Sequence, residues 1–491
     1  MMETAGTLSP QQDPIKHVVF LLLENHSFDQ MLGCLQTVYP TLDGVDEALR
    51  SQRGNRDEAG QVFYPEPTTE RQIAFDPHHE LIDVSEQLAD GNAGFVRNFA
   101  RAYPASTAAQ RQQIMSYYPL GFLPALHALA QEFTICDHWY ASVPGPTWPN
   151  RFFALSGTAS GRVKMPAGIR QPELENALFN QNQNTLFDRL TEGGRAWKIY
   201  FYDFPCSLLL KKLRQPQNLA NYQTISHFFA DAQTAAGFPE FCFIEPKYFG
   251  PDQNDNHPPH NVMKAEKLIA DVYNAIRANP ELWNTTLLVV LFDEHGGFYD
   301  HVSPPKTVAP DAHNEEYTFD RLGVRVPALL VSPWVGKRVE TTPFDHTSFL
   351  KYLIDKWQLG PLGNRAAQSN SIAVAIGESA ARTDTTAFIR VPYSDLIPAQ
   401  PELEKEDASD HQKALRLFAA YLSEQPSWLV GTVMEKIAER AGRWSRLKAA
   451  LGKQFIKVGT RLTSDLEEHN EKRVKQITDI ALKGLRGAGK D

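Results

Sequence analysis

The run from His17 to Leu23 (His-Val-Val-Phe-Leu-Leu-Leu) is almost wholly apolar, with no polar residue alternating through it. A strand with one face in water alternates apolar and polar positions, so an unbroken run predicts a strand covered on both faces. Thr286 to Phe292 repeats the pattern and stops at Asp293-Glu294, and Val324 to Val331 is a third such run, ending at Ser332-Pro333. Between the first two, residues 262–277 place Leu268, Ile269, Val272, Tyr273 and Ile276 at helical spacing, closed by Asn279-Pro280. The spacing from 109 to 132 also predicts a helix. Residues 34–75 are polar and glycine- and proline-marked, and read as an irregular excursion. Residues 144–151 (Pro-Gly-Pro-Thr-Trp-Pro-Asn-Arg) carry three prolines, which excludes a helix interior or a central strand and predicts a rigid loop. Apolar strands alternating with amphipathic helices predict an α/β domain around a largely parallel sheet. Ligands of such sheets sit beyond the carboxyl ends of the strands, where two of the three runs meet acidic residues.

Composition narrows the picture further. The chain has 491 residues and a net charge of −9, without the basic footprint that general nucleic-acid binding leaves. No run approaches the length of a membrane-spanning helix. Val18 to Leu23 is too short for the apolar part of a signal peptide and no small-residue cleavage site follows, so the expected location is cytoplasmic by default, with signal-independent secretion open. Cys34, Cys136, Cys206 and Cys242 are far apart and form no CxxC pair, which suits buried thiols of a reduced compartment, with one disulfide left open. After about residue 400 the texture changes, dividing the chain into a domain over 1–400 and a helical region over 401–491. Within the latter, 431–461 holds eight basic and two acidic residues, with apolar positions three or four apart. That pattern is a basic amphipathic helix, which either docks on the domain or lies on an anionic membrane surface.

Several residues could carry chemistry. Glu24-Asn25 follows the first strand directly. Either Asn25 or Ser27 caps a helix there, or two oxygen donors at a buried strand end hold a divalent cation. Asp293-Glu294 repeats the arrangement, and adjacent buried carboxylates repel unless a cation or proton lies between them. Gly296-Gly297 removes side chains where a ligand would approach. Thr147 is either an ordinary turn residue or, bound to a metal, a nucleophile held by the proline-flanked loop. Asn150 and Arg151 would then meet phosphate oxygens. Among the histidines, His79, His257, His295, His301 and His346 stand in acidic or proline-rich segments, and His346 opens a predicted helix with Asp345 as its cap. No GxSxG, HExxH, P-loop or dinucleotide fingerprint is present.

Taken together, Glu24-Asn-His-Ser-Phe-Asp29, Cys136-Asp-His138, Gly145-Pro-Thr-Trp-Pro-Asn-Arg151 with Ser156-Gly-Thr158, Phe292-Asp-Glu-His-Gly-Gly-Phe-Tyr-Asp-His301 and Asp345-His-Thr-Ser348 occur in one order. They resemble the phosphoesterase family that unites bacterial phosphatidylcholine-specific phospholipases C with certain acid phosphatases, within the alkaline-phosphatase-like superfamily. The resemblance spans roughly residues 15–360. It implies an alkaline-phosphatase-like α/β core with helices flanking the sheet and a helical C-terminal extension. It makes Glu24, Asn25, Asp293 and Glu294 ligands of a divalent metal, with Thr147 as nucleophile bridging to the same ion. His79 and His257 fall where the family meets the phosphate or protonates the leaving group, and His346 matches the Asp-His-Thr-Ser motif. His26 stands where the family often has Arg.

What the resemblance implies chemically is a phospholipase C that hydrolyses phosphatidylcholine to diacylglycerol and phosphocholine through a phospho-threonine. The alternatives are an acid-phosphatase-type phosphomonoesterase and a non-catalytic lipid- or partner-binding protein on the same scaffold. Oxygen ligands suit Mg²⁺, Ca²⁺ or Mn²⁺, while the nearby histidines and the family favour Zn²⁺. A choline headgroup calls for aromatic faces, for which Trp148, Tyr200, Tyr202 and Tyr299 are candidates.

Overall fold

The computed structural model describes residues 13–166, 177–249, 252–397 and 409–424. Its centre is an eight-stranded sheet. The strands are β1 (His17–Leu23), β2 (Thr134–Cys136), β3 (Trp197–Phe201), β4 (Tyr222–Thr224), β5 (Phe241–Glu245), β6 (Thr286–Phe292), β7 (Ala328–Val331) and β8 (Val339–Glu340). Their spatial order is β8-β2-β7-β6-β1-β5-β3-β4. The two clearest apolar runs, β1 and β6, lie side by side and parallel at its middle, fully buried except for His17. This is the α/β, largely parallel architecture expected of such runs.

The third run departs from expectation. Only Ala328–Val331 is strand, and it runs antiparallel to both neighbours. Pro327 has no N–H to give a ladder, so pairing begins after it. The reversal sends Ser332 to the far edge of the sheet and brings residue 325 to the edge where β1 and β6 end. The single predicted helix over 109–132 is also two helices, Ala108–Gln113 and Leu126–Glu132, because Pro119, Gly121 and Pro124 break the segment between them.

Five helices matter for the site: α1 (Phe28–Leu32), α2 (Thr147–Ser156), α3 (Val262–Arg277), α4 (His346–Trp357) and α5 (Asp410–Glu424). Ser27 caps α1 by accepting from the Gln30 amide, and Asp345 caps α4 in a reciprocal box with Ser348. The rigid loop expected at 144–151 is a helix start from Thr147 onward. Pro146 is the N-cap and Pro149 lies in the first turn, where amide hydrogens have no helical partner and proline costs nothing. Gly157 ends α2 at φ 76, and a Cβ there would lie 2.1 Å from the Leu362 carbonyl oxygen.

All four cysteines are buried and free. Ala414, Leu415, Phe418 and Leu422 of α5 join the main core, with Phe418 5.1 Å from Phe179 and 5.9 Å from Phe204 between ring centres. The 431–461 stretch lies outside the described residues. Among the described residues no helix is long and apolar enough to cross a membrane.

Candidate active site

Parallel pairing of β1 and β6 sets Leu23 opposite Phe292, so the residues that follow each strand emerge together at one sheet edge. Glu24, Asn25, Asp293 and Glu294 are each fully buried there. Asn25 turns at φ 56 and its amide donates to Asp293 Oδ1 at 3.4 Å. Gly296, at φ 64, lies so close behind it that a Cβ would be 2.2 Å from the Asn25 carbonyl oxygen. The glycine pair thus admits the chain's own backbone, Asn25 at Gly296 and the Pro77-His78 segment at Gly297, where the sequence suggested room for a ligand.

The first turn of α2 points at this edge. Thr147 donates from Oγ1 to Asn25 Oδ1 at 3.5 Å, and the side-chain Nδ2 of Asn25 is 3.3 Å from His79 Nε2. One turn on, Arg151 lies between the two strand ends, with Nε 2.8 Å from Asp293 Oδ2 and Nη2 2.8 Å from Glu24 Oε1. Its third nitrogen donates to the Tyr248 hydroxyl at 3.1 Å. Arg151 is therefore placed as the internal counter-ion of the carboxylates, where the sequence suggested a phosphate contact. Asn150 is turned the other way. Its Oδ1 accepts from the Val143 amide at 3.0 Å, and its Nδ2 donates to the carbonyls of Gly145 (2.9 Å), Val143 and Pro146 (both 3.2 Å). That amide fixes the approach to Thr147 and does not face a phosphate. Asn150→Ala is expected to lower stability by about 1–3 kcal/mol, through buried groups left unpaired, and to reduce turnover with little change in KM. Denaturant unfolding together with steady-state kinetics checks both parts.

Burial governs the charges. It pushes the Glu24 carboxyl up to about 7, against the pull of Arg151, and drives Asp293 well above the ordinary range against the same pull. Glu294 would rise for the same reason but is held below its usual value by His79. His79 in turn is raised to about 10, since Glu294 and Asp76 outweigh its own desolvation. Its Nδ1 donates to the Pro77 carbonyl at 2.6 Å and its Nε2 lies 3.5 Å from Glu294 Oε1. His257 donates from Nδ1 to the Pro258 carbonyl at 2.7 Å, while its Nε2 has no hydrogen-bond partner and lies 3.7 Å from Asp76 Oδ1. The His79 and His257 rings are 6.3 Å apart. Among the described residues Glu24 Oε2 and Glu294 Oε1 also lack hydrogen-bond partners. Buried acceptors of this kind cost about 1–3 kcal/mol each when unmatched, and a hard divalent cation is what a set of oxygen donors matches.

His346 is engaged on both ring nitrogens. Nδ1 accepts from Trp139 Nε1 at 3.3 Å, which leaves the proton on Nε2 to donate to the Asp293 carbonyl at 2.7 Å. Burial lowers its pKa to about 4, so the ring is neutral and its geometry is that of a support for Asp293. His26 bridges Gln30 Oε1 (2.6 Å) and the Asn256 carbonyl (2.9 Å) while stacking on Phe298. Of the four aromatic candidates, the structure keeps only Trp148 beside this edge. Tyr200 donates to Asp231 at 2.6 Å, Tyr202 is hydrogen-bonded to the Asn254 side chain, and Tyr299 packs edge-on against Phe95 in a smaller second core. Closeness to a motif in sequence does not set the direction in which a side chain leaves the backbone.

A second charged cluster lies nearby. Donor atoms of Asp29, Asp300 and His301 fall within 4.8 Å of one another, a spacing that could hold a metal. Here, however, the protein supplies its own cations. Arg325 reaches Asp29 Oδ1 and Asp300 Oδ1, each at 2.9 Å, and His301 joins Asp29 Oδ2 (2.7 Å) to Asp43 Oδ1 (2.9 Å). Arg325→Met should cost about 3–5 kcal/mol by leaving buried carboxylates unpaired, read as an earlier denaturation midpoint. Burial opposes the charge on His301, but Asp29 and Asp43 raise its pKa to about 10. Its contribution to stability is complete below its unfolded value near 6.5 and is lost as pH rises through about 10.

Two of the site's neighbours were not legible from sequence: Tyr248 on Arg151 and His411 of α5, whose Nδ1 is 2.5 Å from Glu24 Oε1. Neither stands in a distinctive local pattern.

Comparison with known proteins gives a consistent picture. Residues 15–360 match the family model described as Phosphoesterase family. The chain is 31% identical over 460 residues to Non-specific phospholipase C3 of Arabidopsis thaliana, covering 86% of this chain and 84% of that one. It is 29% identical over 385 residues to Non-hemolytic phospholipase C of Pseudomonas aeruginosa (69% and 53%) and 28% identical over 418 residues to Phospholipase C A of Mycobacterium tuberculosis (75% and 77%). Among solved structures, a protein in the alkaline phosphatase superfamily from Vibrio parahaemolyticus aligns over 74% of this chain and 72% of that one, at 10% identity and TM-score 0.33.

Proposed function

The chain belongs to the Phosphoesterase family, and on that premise we propose that it is a phospholipase C that cleaves phosphatidylcholine to diacylglycerol and phosphocholine by way of Thr147. The observation that carries the reading is the placement of a buried hydroxyl at the start of α2, within reach of Asn25, beside carboxylate oxygens that have no hydrogen-bond partner among the described residues. The phospholipase C names of its relatives support the same reaction class.

Glu24, Asn25, Asp293 and Glu294 would hold a divalent cation, which polarises a phosphoryl oxygen and acidifies the Thr147 hydroxyl. Zn²⁺ remains the favoured ion, with Mg²⁺, Ca²⁺ and Mn²⁺ compatible with the oxygen donors. Arg151 keeps Glu24 and Asp293 apart from each other and fixed in direction. The His79 imidazolium would meet a phosphoryl oxygen. Thr147, its hydroxyl proton released to water, attacks phosphorus in line through Oγ1, the bond to the diacylglycerol oxygen breaks, and His257 Nε2 supplies the proton to that oxygen. Water then hydrolyses the phospho-threonine and releases phosphocholine. Contact with the lipid surface through 431–461 forms part of the proposal.

Phosphatidylcholine vesicles incubated with the protein, with products separated, test it. Diacylglycerol and phosphocholine are expected. Release of inorganic phosphate from a simple monoester without lipid cleavage would move the protein to the phosphomonoesterase reading.

A further inference from the structure

Helix α5 comes from a part of the chain beyond every recognised motif, yet its first turn lies against the candidate cation site. The Asp410 amide donates to Asp76 Oδ2 at 3.1 Å, the Gln412 side chain donates to the Tyr248 carbonyl, and Phe418 anchors the helix on Phe179. These contacts fix His411, which is 1% exposed, with its ring 4.7 Å from that of Tyr248 and 6.4 Å from that of Trp148. Its Nδ1 lies 2.5 Å from Glu24 Oε1, off the line an N–H would take, and neither ring nitrogen has a hydrogen-bond partner among the described residues. A buried imidazole without partners is costly, and so is the partnerless Glu24 Oε2 on the other side of the same carboxylate.

We propose that His411 is a positioning residue of the cation site, its Nδ1–H holding Glu24 Oε1 so that Oε2 is presented to the ion. This rests on the reading that Glu24, Asn25, Asp293 and Glu294 bind a divalent cation. Hydrogen bonds of unliganded sites are commonly misaligned and tighten when the site is loaded, which accounts for a contact that is short but not yet straight. Residues that orient a metal ligand typically change metal affinity about 10–100-fold when lost.

The test is calorimetric titration of the metal-stripped full chain with Zn²⁺. The amide nitrogen of asparagine falls near the place of histidine Nδ1, and that of glutamine near Nε2. His411→Asn is therefore expected to bind within about threefold of wild type, while His411→Gln and His411→Phe weaken binding about 10–100-fold. A packing role would give the opposite order, with the ring-preserving Phe mildest. Wild-type affinity in His411→Phe, or equal losses in all three, overturns the proposal. Should the Phe variant not fold, Asn against Gln carries the same comparison, and equal affinities overturn it. Glu24→Gln separates the two ideas. If it binds Zn²⁺ as wild type does, the cation reading falls and the proposal with it; if it loses Zn²⁺ while His411→Phe does not, the proposal falls alone.

Discussion

Thr147→Ala is expected to lower phosphatidylcholine hydrolysis by about 10³-fold or more, the scale on which deleting a covalent nucleophile acts. The substitution deletes the hydroxyl and one methyl of a buried side chain at the first position of α2, and with them one long hydrogen bond, to Asn25 at 3.5 Å. Folding stability should therefore fall by only about 1–2 kcal/mol. Separating activity from stability in this way is what marks a reacting group. If the variant kept more than about a tenth of wild-type turnover, Thr147 could not be the nucleophile, since even general-base assistance alone is worth about 10²–10⁴-fold. Circular dichroism melts alongside product analysis of the lipid reaction give both numbers.

Removal of metal by a chelator is expected to abolish turnover and to lower the melting temperature, with both restored by adding a divalent ion. The buried edge holds three carboxylates against Arg151 and the His79 imidazolium, and two carboxylate oxygens have no hydrogen-bond partner among the described residues. An ion bound only to the folded state stabilises it by about 2.7 kcal/mol at a hundred times its Kd, so the melting temperature should climb with ion concentration. Glu24→Gln should lose the activity and make melting insensitive to the ion. Because Glu24 titrates near 7 without metal, protons compete for it below that pH. Apparent affinity should then weaken by up to about tenfold per pH unit on the acid side and level off above 7. Titration at pH 6 and pH 8 reads the difference, and equal affinities would remove Glu24 from the ligand set.

The burial of α5 against the catalytic edge also bears on how the chain is divided. Its apolar residues belong to the same core as β1 and β6, and its first turn meets Asp76, Tyr248 and Glu24. The described part of the region after residue 400 is thus packed into the body that carries the motifs.

What the amino-acid sequence determined by itself is what local physics can encode. Unbroken apolar runs made β1 and β6 strands buried on both faces, whatever lay beside them. Acidic residues at their ends, the Ser27 and Asp345 caps, and the helix over 262–277 were readable for the same reason: each depends on neighbours a few residues away. The tertiary structure alone decided the rest. The antiparallel pairing of β7 brought Arg325 to Asp29 and Asp300. The start of α2 at Thr147 put Arg151 one turn further along, between Glu24 and Asp293. The packing of α5 delivered His411 from outside the motifs. Periodicity records that a side chain is buried, but a buried charge or imidazole is defined by the group it meets, and that group is set by contacts between distant parts of the chain.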